Sequence, residues 1–235
     1  MKKRFAAFVS TVLAAVLCAC SAAPKDVLPN KAAQPIEAPT QQAQTTQAAP
    51  TEQPTPEPDL VQQLLEEMTL EQKVGQLFLV RPDSLDLSQT QDQINDAKAD
   101  GVTELTDAMR QTLAEYPVGG VVIFGKNLES PQQITQFLDD LQQASDTPLF
   151  TAIDEEGGLV ARLANNAAFD LPQYESAAAV GTSGNPEDAR AMGRTIGGYL
   201  KEYGFNLDFA PVADVNTNPD NPVIGTRAFS SEPQT

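Results

Sequence analysis

Four short apolar runs, separated by segments with helical periodicity, set the limits on what this chain can fold into. They are QLFLV (residues 76–80), VGGVVIFG (118–125), PLFTAID (148–154) and FNLDFAPVADV (205–215). Each is rich in Val, Ile, Leu or Phe on both faces, so it must be covered on both sides, as strands of a parallel sheet under helices are. The segments between them place apolar residues on one helical face: Leu60, Leu64, Leu65 and Met68; Ile134, Phe137, Leu138 and Leu141; Ala189, Met192, Ile196 and Leu200. Start signals agree. Thr69-Leu70-Glu71-Gln72 forms a capping box, Ser130-Pro131-Gln132-Gln133 offers an N-cap with Pro at the first helical position, and Asn185-Pro186 opens a last helix that ends at Gly204. Residues 83–116 read as an inserted, largely helical excursion. The result is about four strand–helix units. A doubly wound sheet could stop there, whereas a (β/α)8 barrel needs roughly 250 residues.

The first 58 residues belong to no such unit. Lys2, Lys3 and Arg4 precede an apolar run, residues 5–17, that is shorter than the roughly 20 residues of a membrane-spanning helix. This is the pattern of a secretory signal peptide, here residues 1–19. Leu17-Cys18-Ala19-Cys20 resembles the bacterial lipobox, with Leu three places before Cys20 and a small residue just before it. By that resemblance cleavage falls before Cys20, whose thiol carries lipid and anchors the chain to a bacterial membrane on its extracytoplasmic side. A plain cleaved signal with two incidental cysteines is the alternative. Residues 20–58, dominated by Ala, Pro, Gln and Thr, have too little apolar surface to offset chain entropy and are predicted to be a disordered, proline-stiffened tether. No cysteine follows Cys20, so disulfides are not expected in the body.

Charge and composition exclude whole classes of function. Lys and Arg number 15 against 32 Asp and Glu, a formal net charge of -17, and there is no histidine. Such an excess of negative charge opposes nucleic acid as a partner. Without histidine, residues 1–235 cannot assemble a Ser-His-Asp or Cys-His pair, and the commonest zinc ligand is missing. No D-x-D-x-D-G cation loop is present either; the group Asp208, Asp214, Asn216 and Asn218 could suggest calcium, but Asp214 and Asn216 more simply order the loop after the fourth strand. No metal site and no cofactor are expected.

The segments GGVVIFGKN, AIDEEGGLVARL, APVADVN and NPVIGTRAF, in this order, resemble glycoside hydrolase family 3 over roughly residues 64–233. The second, of the form I-D-x-E-G-G-x-V-x-R, is similar to the β-N-acetylhexosaminidase branch. Leu159, where that branch often has a basic residue, and Ala228, where it often has Ser, depart from the pattern. The resemblance implies a (β/α)8 TIM-type barrel, of which residues 59–235 would supply about the first four units. It implies an exo-acting, retaining hydrolase of β-linked N-acetylhexosamine in cell-wall or other glycans, needing no cofactor. The substrate-binding residues it assigns are Asp154, Arg162 and Arg227. The acid histidine, in a K-H-x-P-G-H-G motif, and the aspartate nucleophile would follow residue 235, leaving no catalytic residue within 1–235. A non-catalytic sugar-binding lipoprotein, and the β-glucosidase or β-xylosidase branches of the family, are the other readings.

Within TAIDEEGGLV the three acids are expected to differ in role. Asp154 falls at the carboxyl end of a strand, where barrel enzymes build their sites. Side chains alternate along extended backbone, so Glu155 should point away from Asp154. Glu156 is expected to salt-bridge a site arginine. Asp154 and Glu156 as an acid–nucleophile pair is disfavoured, since both would crowd one side of the sugar.

Overall fold

A computed structural model describes residues 59–234 of the protein. The signal peptide, Cys20 and the tether predicted for residues 1–58 lie outside the described residues, as does Thr235.

Helix α1 (Leu60–Glu67) starts at Asp59, whose carboxylate accepts from the Val61 and Gln62 N–H groups at 3.1 and 3.2 Å. Its apolar stripe is not buried; Leu64 and Leu65 remain about half exposed. The capping box of Thr69 and Gln72 opens α2 (Leu70–Gly75), as predicted. The strand predicted over residues 76–80 is shorter: β1 is Leu79–Val80 alone. Leu77 and Phe78 instead donate back to Val74 and Gly75, tightening the end of α2 into i→i+3 turns that leave both side chains facing solvent, 79% and 55% exposed. Gly75 permits this closeness, because a Cβ there would sit 2.0 Å from the Pro117 carbonyl oxygen.

The excursion that follows is helical in part: a 3-10 turn at Pro82–Leu85, α3 (Gln91–Asn95) and α4 (Asp107–Glu115), whose N-cap Thr106 accepts from Met109 N–H. Strand β2 (Gly120–Val122) leads to α5 (Pro131–Ala144). This helix buries Ile134, Phe137, Leu138 and Leu141, the four residues of the predicted face. Ser130 caps it, while the Gln133 side chain accepts from Glu129 N–H instead of Ser130 N–H. Strand β3 (Phe150–Ile153) is followed by a small antiparallel hairpin, β4 (Glu155–Gly157) and β5 (Val160–Ala161). Then come α6 (Ala177–Gly181) and α7 (Pro186–Glu202), capped by Asn185. Helix α7 buries Met192, Ile196, Tyr199 and Leu200; Tyr199 takes the inward place assigned to Ala189, which is only half-buried. The last predicted strand, residues 205–215, contracts to β6 (Leu207–Asp208), since Pro211 has no N–H to give to a ladder.

Among the described residues, β1, β2, β3 and β6 form one sheet, all parallel, in that order. Chain neighbours are therefore sheet neighbours throughout. A doubly wound sheet reverses its strand order after the first strands; a (β/α)8 barrel does not. The core joins Val121, Ile123, Ile153 and Leu163 to the inner faces of α4, α5 and α7. The described residues thus form the opening strand–helix units of a barrel-type α/β fold, with the carboxyl ends of the strands gathered at one end.

Candidate functional site

At that end the chain after β3 runs through Asp154, Glu155 and Glu156 and turns at Gly157 and Gly158. Their φ values of 85° and 64° are left-handed, which glycine adopts without penalty. The three carboxylates diverge.

Asp154 remains partly open to solvent and is held by Arg162, whose Nε and Nη2 donate to its Oδ1 and Oδ2 at 2.6 and 2.5 Å. Donating to Asp154 raises the Arg162 guanidinium above its ordinary range, against the lowering effect of its own burial. This fork occupies two of the roughly four lone-pair sites of the carboxylate, leaving the others for hydroxyl donors. The Arg162 guanidinium also lies 5.6 Å from the centre of the Phe124 ring, and that of Arg81 lies 4.5 Å from it. Arg81 directly follows the carboxyl end of β1 and Phe124 lies two residues beyond that of β2, so three neighbouring strands deliver groups to one place.

Glu156 is nearly buried and faces Arg227, which arrives 71 residues later on a 3-10 turn at Gly225–Arg227. Arg227 Nε and Nη2 donate to the Glu156 carboxylate at 2.8 and 2.6 Å. That pairing raises Arg227 too, with further support from the charges of Asp214 and Asp154, while Arg162 feels Glu156. The two ion pairs form one charge-balanced cluster. Asp154, Arg162 and Arg227, singled out from sequence, are thereby brought together, and the expected Glu156–arginine bridge is present.

Glu155 points the other way, as strand alternation requires, and is fully buried. Its Oε2 accepts from Leu163 N–H at 2.9 Å; its Oε1 accepts from Ala164 N–H and the Tyr199 hydroxyl, each also at 2.9 Å. Its own N–H donates to Asp208 Oδ1 at 2.9 Å. Burial pushes the Asp208 carboxyl up to about 6, and the charges of Glu155, Asp154 and Glu156 add to the rise, against the lowering effect of the Glu155 N–H. Sequence reasoning missed the roles of both Tyr199 and Asp208. The signal for Asp208 was an acid inside an apolar run; Tyr199, on a helix 44 residues from Glu155, gave none.

A second polar cluster braces the excursion. Buried Asp83 accepts from Lys126 Nζ at 3.2 Å, Asn127 Nδ2 at 3.0 Å and Val102 N–H at 3.1 Å, while Lys126 also donates to the carbonyls of Gln93 and Ile94. Every group is matched, so this cluster supports the site's rim without being open to a ligand. Among the described residues no group of three or more His, Cys, Asp or Glu side chains is arranged to hold a metal. In the loop after β6, Asn216 donates its main-chain N–H to Ser230 O, Asn218 Oδ1 accepts from Asp220 N–H, and the charge of Asp214 acts on Arg227. A cleft of about 840 Å³ lies between α6, α7 and the chain around residues 208–215 and 229–234. It reaches Glu155 and Glu156 but not Asp154 or Arg162, so it is distinct from the open side of the site.

A sequentially ordered parallel sheet under helices, with forked arginine–carboxylate pairs at the carboxyl ends of its strands, defines a barrel-type α/β domain. Residues 69–235 match the glycosyl hydrolase family 3 N terminal domain, and the chain belongs to that family. It is 36% identical over 137 residues to a protein named beta-hexosaminidase A from Pseudoalteromonas piscicida, covering 56% of this chain and 23% of that one. To a beta-hexosaminidase of Thiobacillus denitrificans it is 34% identical over 136 residues, again 56% of this chain and 37% of the relative. Among solved structures it superposes on a glycoside hydrolase family 3 beta-N-acetylglucosaminidase from Paenibacillus sp. with a TM-score of 0.58 at 33% identity. That match covers 71% of this chain and 28% of the Paenibacillus chain. The chain therefore spans between about a quarter and two fifths of the length of these relatives.

Proposed function

We propose that the chain is part of a retaining, exo-acting β-N-acetylhexosaminidase, in which Asp154, Arg162 and Arg227 hold the terminal amino sugar of a glycan. The observation that carries this is Asp154 itself. It stands at the carboxyl end of β3, is fixed in orientation by the Arg162 fork, and keeps free lone pairs toward solvent. Two vicinal sugar hydroxyls can donate to it together, which fixes the rotation of the ring. Unused donors of Arg162 and Arg227 suit ring-substituent oxygens, including an amide carbonyl. In the reaction, a carboxylate attacks the anomeric carbon as an acid protonates the departing oxygen; water then cleaves the glycosyl–enzyme bond. Neither group is assigned among residues 1–235. Family membership and the names of the relatives support this reading.

The test is turnover of a chromogenic β-N-acetylglucosaminide by the full-length protein, with the corresponding β-glucoside and β-xyloside alongside. Preference for the amino sugar, lost in Asp154→Ala, is expected; preference for either plain sugar would assign another branch, and unchanged turnover in Asp154→Ala would overturn the site.

We also infer that Cys20 is lipidated and that the protein is held outside the cytoplasm on a bacterial membrane, on the strength of Leu17-Cys18-Ala19-Cys20 and the polar, proline-rich composition behind it. A fatty-acid analogue fed to cells should label the wild type and not Cys20→Ala. Equal labelling of both would refute the anchor. One acyl chain binds a membrane only marginally, so more than one is expected.

A further inference from the structure

We propose that Glu155 is a positioning residue of the sugar site: its buried carboxylate fixes the backbone at residues 163–164 and thereby holds the Arg162 guanidinium flat against Asp154. This rests on the reading of Asp154 and Arg162 as the sugar-binding pair.

Glu155 is 0% exposed, and among the described residues no cation pairs with it. Three hydrogens converge on its two oxygens, from Leu163 N–H, Ala164 N–H and the Tyr199 hydroxyl. A group that must accept at both ends is a carboxylate; a carboxamide would turn its NH2 toward one of those donors. A buried carboxylate costs several kcal/mol of desolvation unless such donors compensate it, so the arrangement persists only while all three are in place. Their positions explain what it does. Leu163 and Ala164 directly follow Arg162, and Glu155 directly follows Asp154. The two ends of the Asp154–Arg162 pair are thus locked together from below by the next residues along each segment, across the β4–β5 hairpin. Two further anchors stiffen the lock. Asp208 accepts the Glu155 N–H, tying it to β6, and Tyr199 ties it to α7. Burial, reinforced by the charge of Glu155, pushes the Tyr199 hydroxyl far above its ordinary range, so it stays a donor. Without this lock Arg162 would be an exposed-loop arginine with several rotamers, and the sugar would meet a mobile cation.

The test follows the Arg162 Nε–Hε resonance and the amide exchange of Leu163 and Ala164 by 15N NMR in the full-length chain, comparing wild type with Glu155→Gln. The Asn127 side-chain amide, held by Asp83 and Val102, reports that the rest of the fold is intact. In Glu155→Gln the Hε resonance should move to the position of a solvated guanidinium, and exchange of the two amides should quicken by roughly tenfold or more. An unmoved Hε resonance with faster amide exchange would overturn the proposal. Should Glu155→Gln not fold, Tyr199→Phe removes one donor and keeps the charge; it should shift Hε in the same direction, and an unchanged Hε with faster Ala164 exchange would again overturn it. Asp154→Asn separates the two readings: N-acetylglucosamine affinity equal to wild type in that variant would sink the sugar site and leave the Arg162 measurements standing.

Discussion

Asp154 and Glu155 are consecutive carboxylates with opposite fates, and a single peptide bond separates a ligand-facing group from a structural one. Truncating Asp154 to Ala in the full-length protein should weaken transition-state binding by about 2–4 kcal/mol, the range for charge-assisted hydrogen bonds removed from an active site, read as a fall in kcat/KM. Alternation along a strand foretold which way each points, and the three donors gathered on Glu155 add a consequence for stability. Glu155→Ala strands three donors below the site, so it should lower thermal stability more than Asp154→Ala does, as a thermal melt of the two variants would show. Asp208 supplies a pH signature. Its folded carboxyl titrates near 6 against an ordinary 3.8, so between those values the native state holds a proton that the unfolded chain has released. Stability from this group is present below about 4 and is lost as the pH rises through 6. Melting temperatures measured from pH 4 to 7 should show that decline in the wild type and a flatter profile in Asp208→Asn. Equal slopes would mean Asp208 is solvated.

The helices were more legible than the strands, for a physical reason. A cap is a local contract between residues three apart, so Thr69 with Gln72, Ser130 and Asn185 could be read directly, and the buried face of α5 was foretold residue by residue. A parallel strand is defined by partners 30 or more residues away, and the runs marked as strands only say which residues tolerate burial. Of QLFLV, two residues pair; of FNLDFAPVADV, two. Removing the cap in Ser130→Ala should cost about 1 kcal/mol, whereas Phe137→Ala, which empties a site 1% exposed, should cost about 3–5. Chemical denaturation of both variants would check the ratio. Comparable losses would mean that α5 is held by its end and not by its face.

For the whole molecule, the sheet of the described residues is open, with β1 and β6 at its edges and Leu77, Phe78 and Phe150 on the surface. A polypeptide restricted to residues 59–235 is therefore expected to melt broadly and to self-associate as its concentration rises, since unpaired strand edges and exposed apolar side chains recruit partners. Near-UV circular dichroism on heating, with light scattering, would test this; a sharp two-state melt of a monomer would show that four strands suffice. The two ion pairs of the site also differ in reach: Asp154 and Arg162 lie eight residues apart, Glu156 and Arg227 seventy-one. Closing the longer loop carries more entropy, and distant contacts tend to form late on the way to the native state. The Asp154–Arg162 wall is complete once α7 has supplied Tyr199 and β6 has supplied Asp208, while the other waits for Arg227 to be synthesised. In the interval Glu156 is an acid without its counter-ion, so a ribosome-bound chain halted between residues 208 and 227 should hold the Asp154–Arg162 pair while Glu156 is still unpaired.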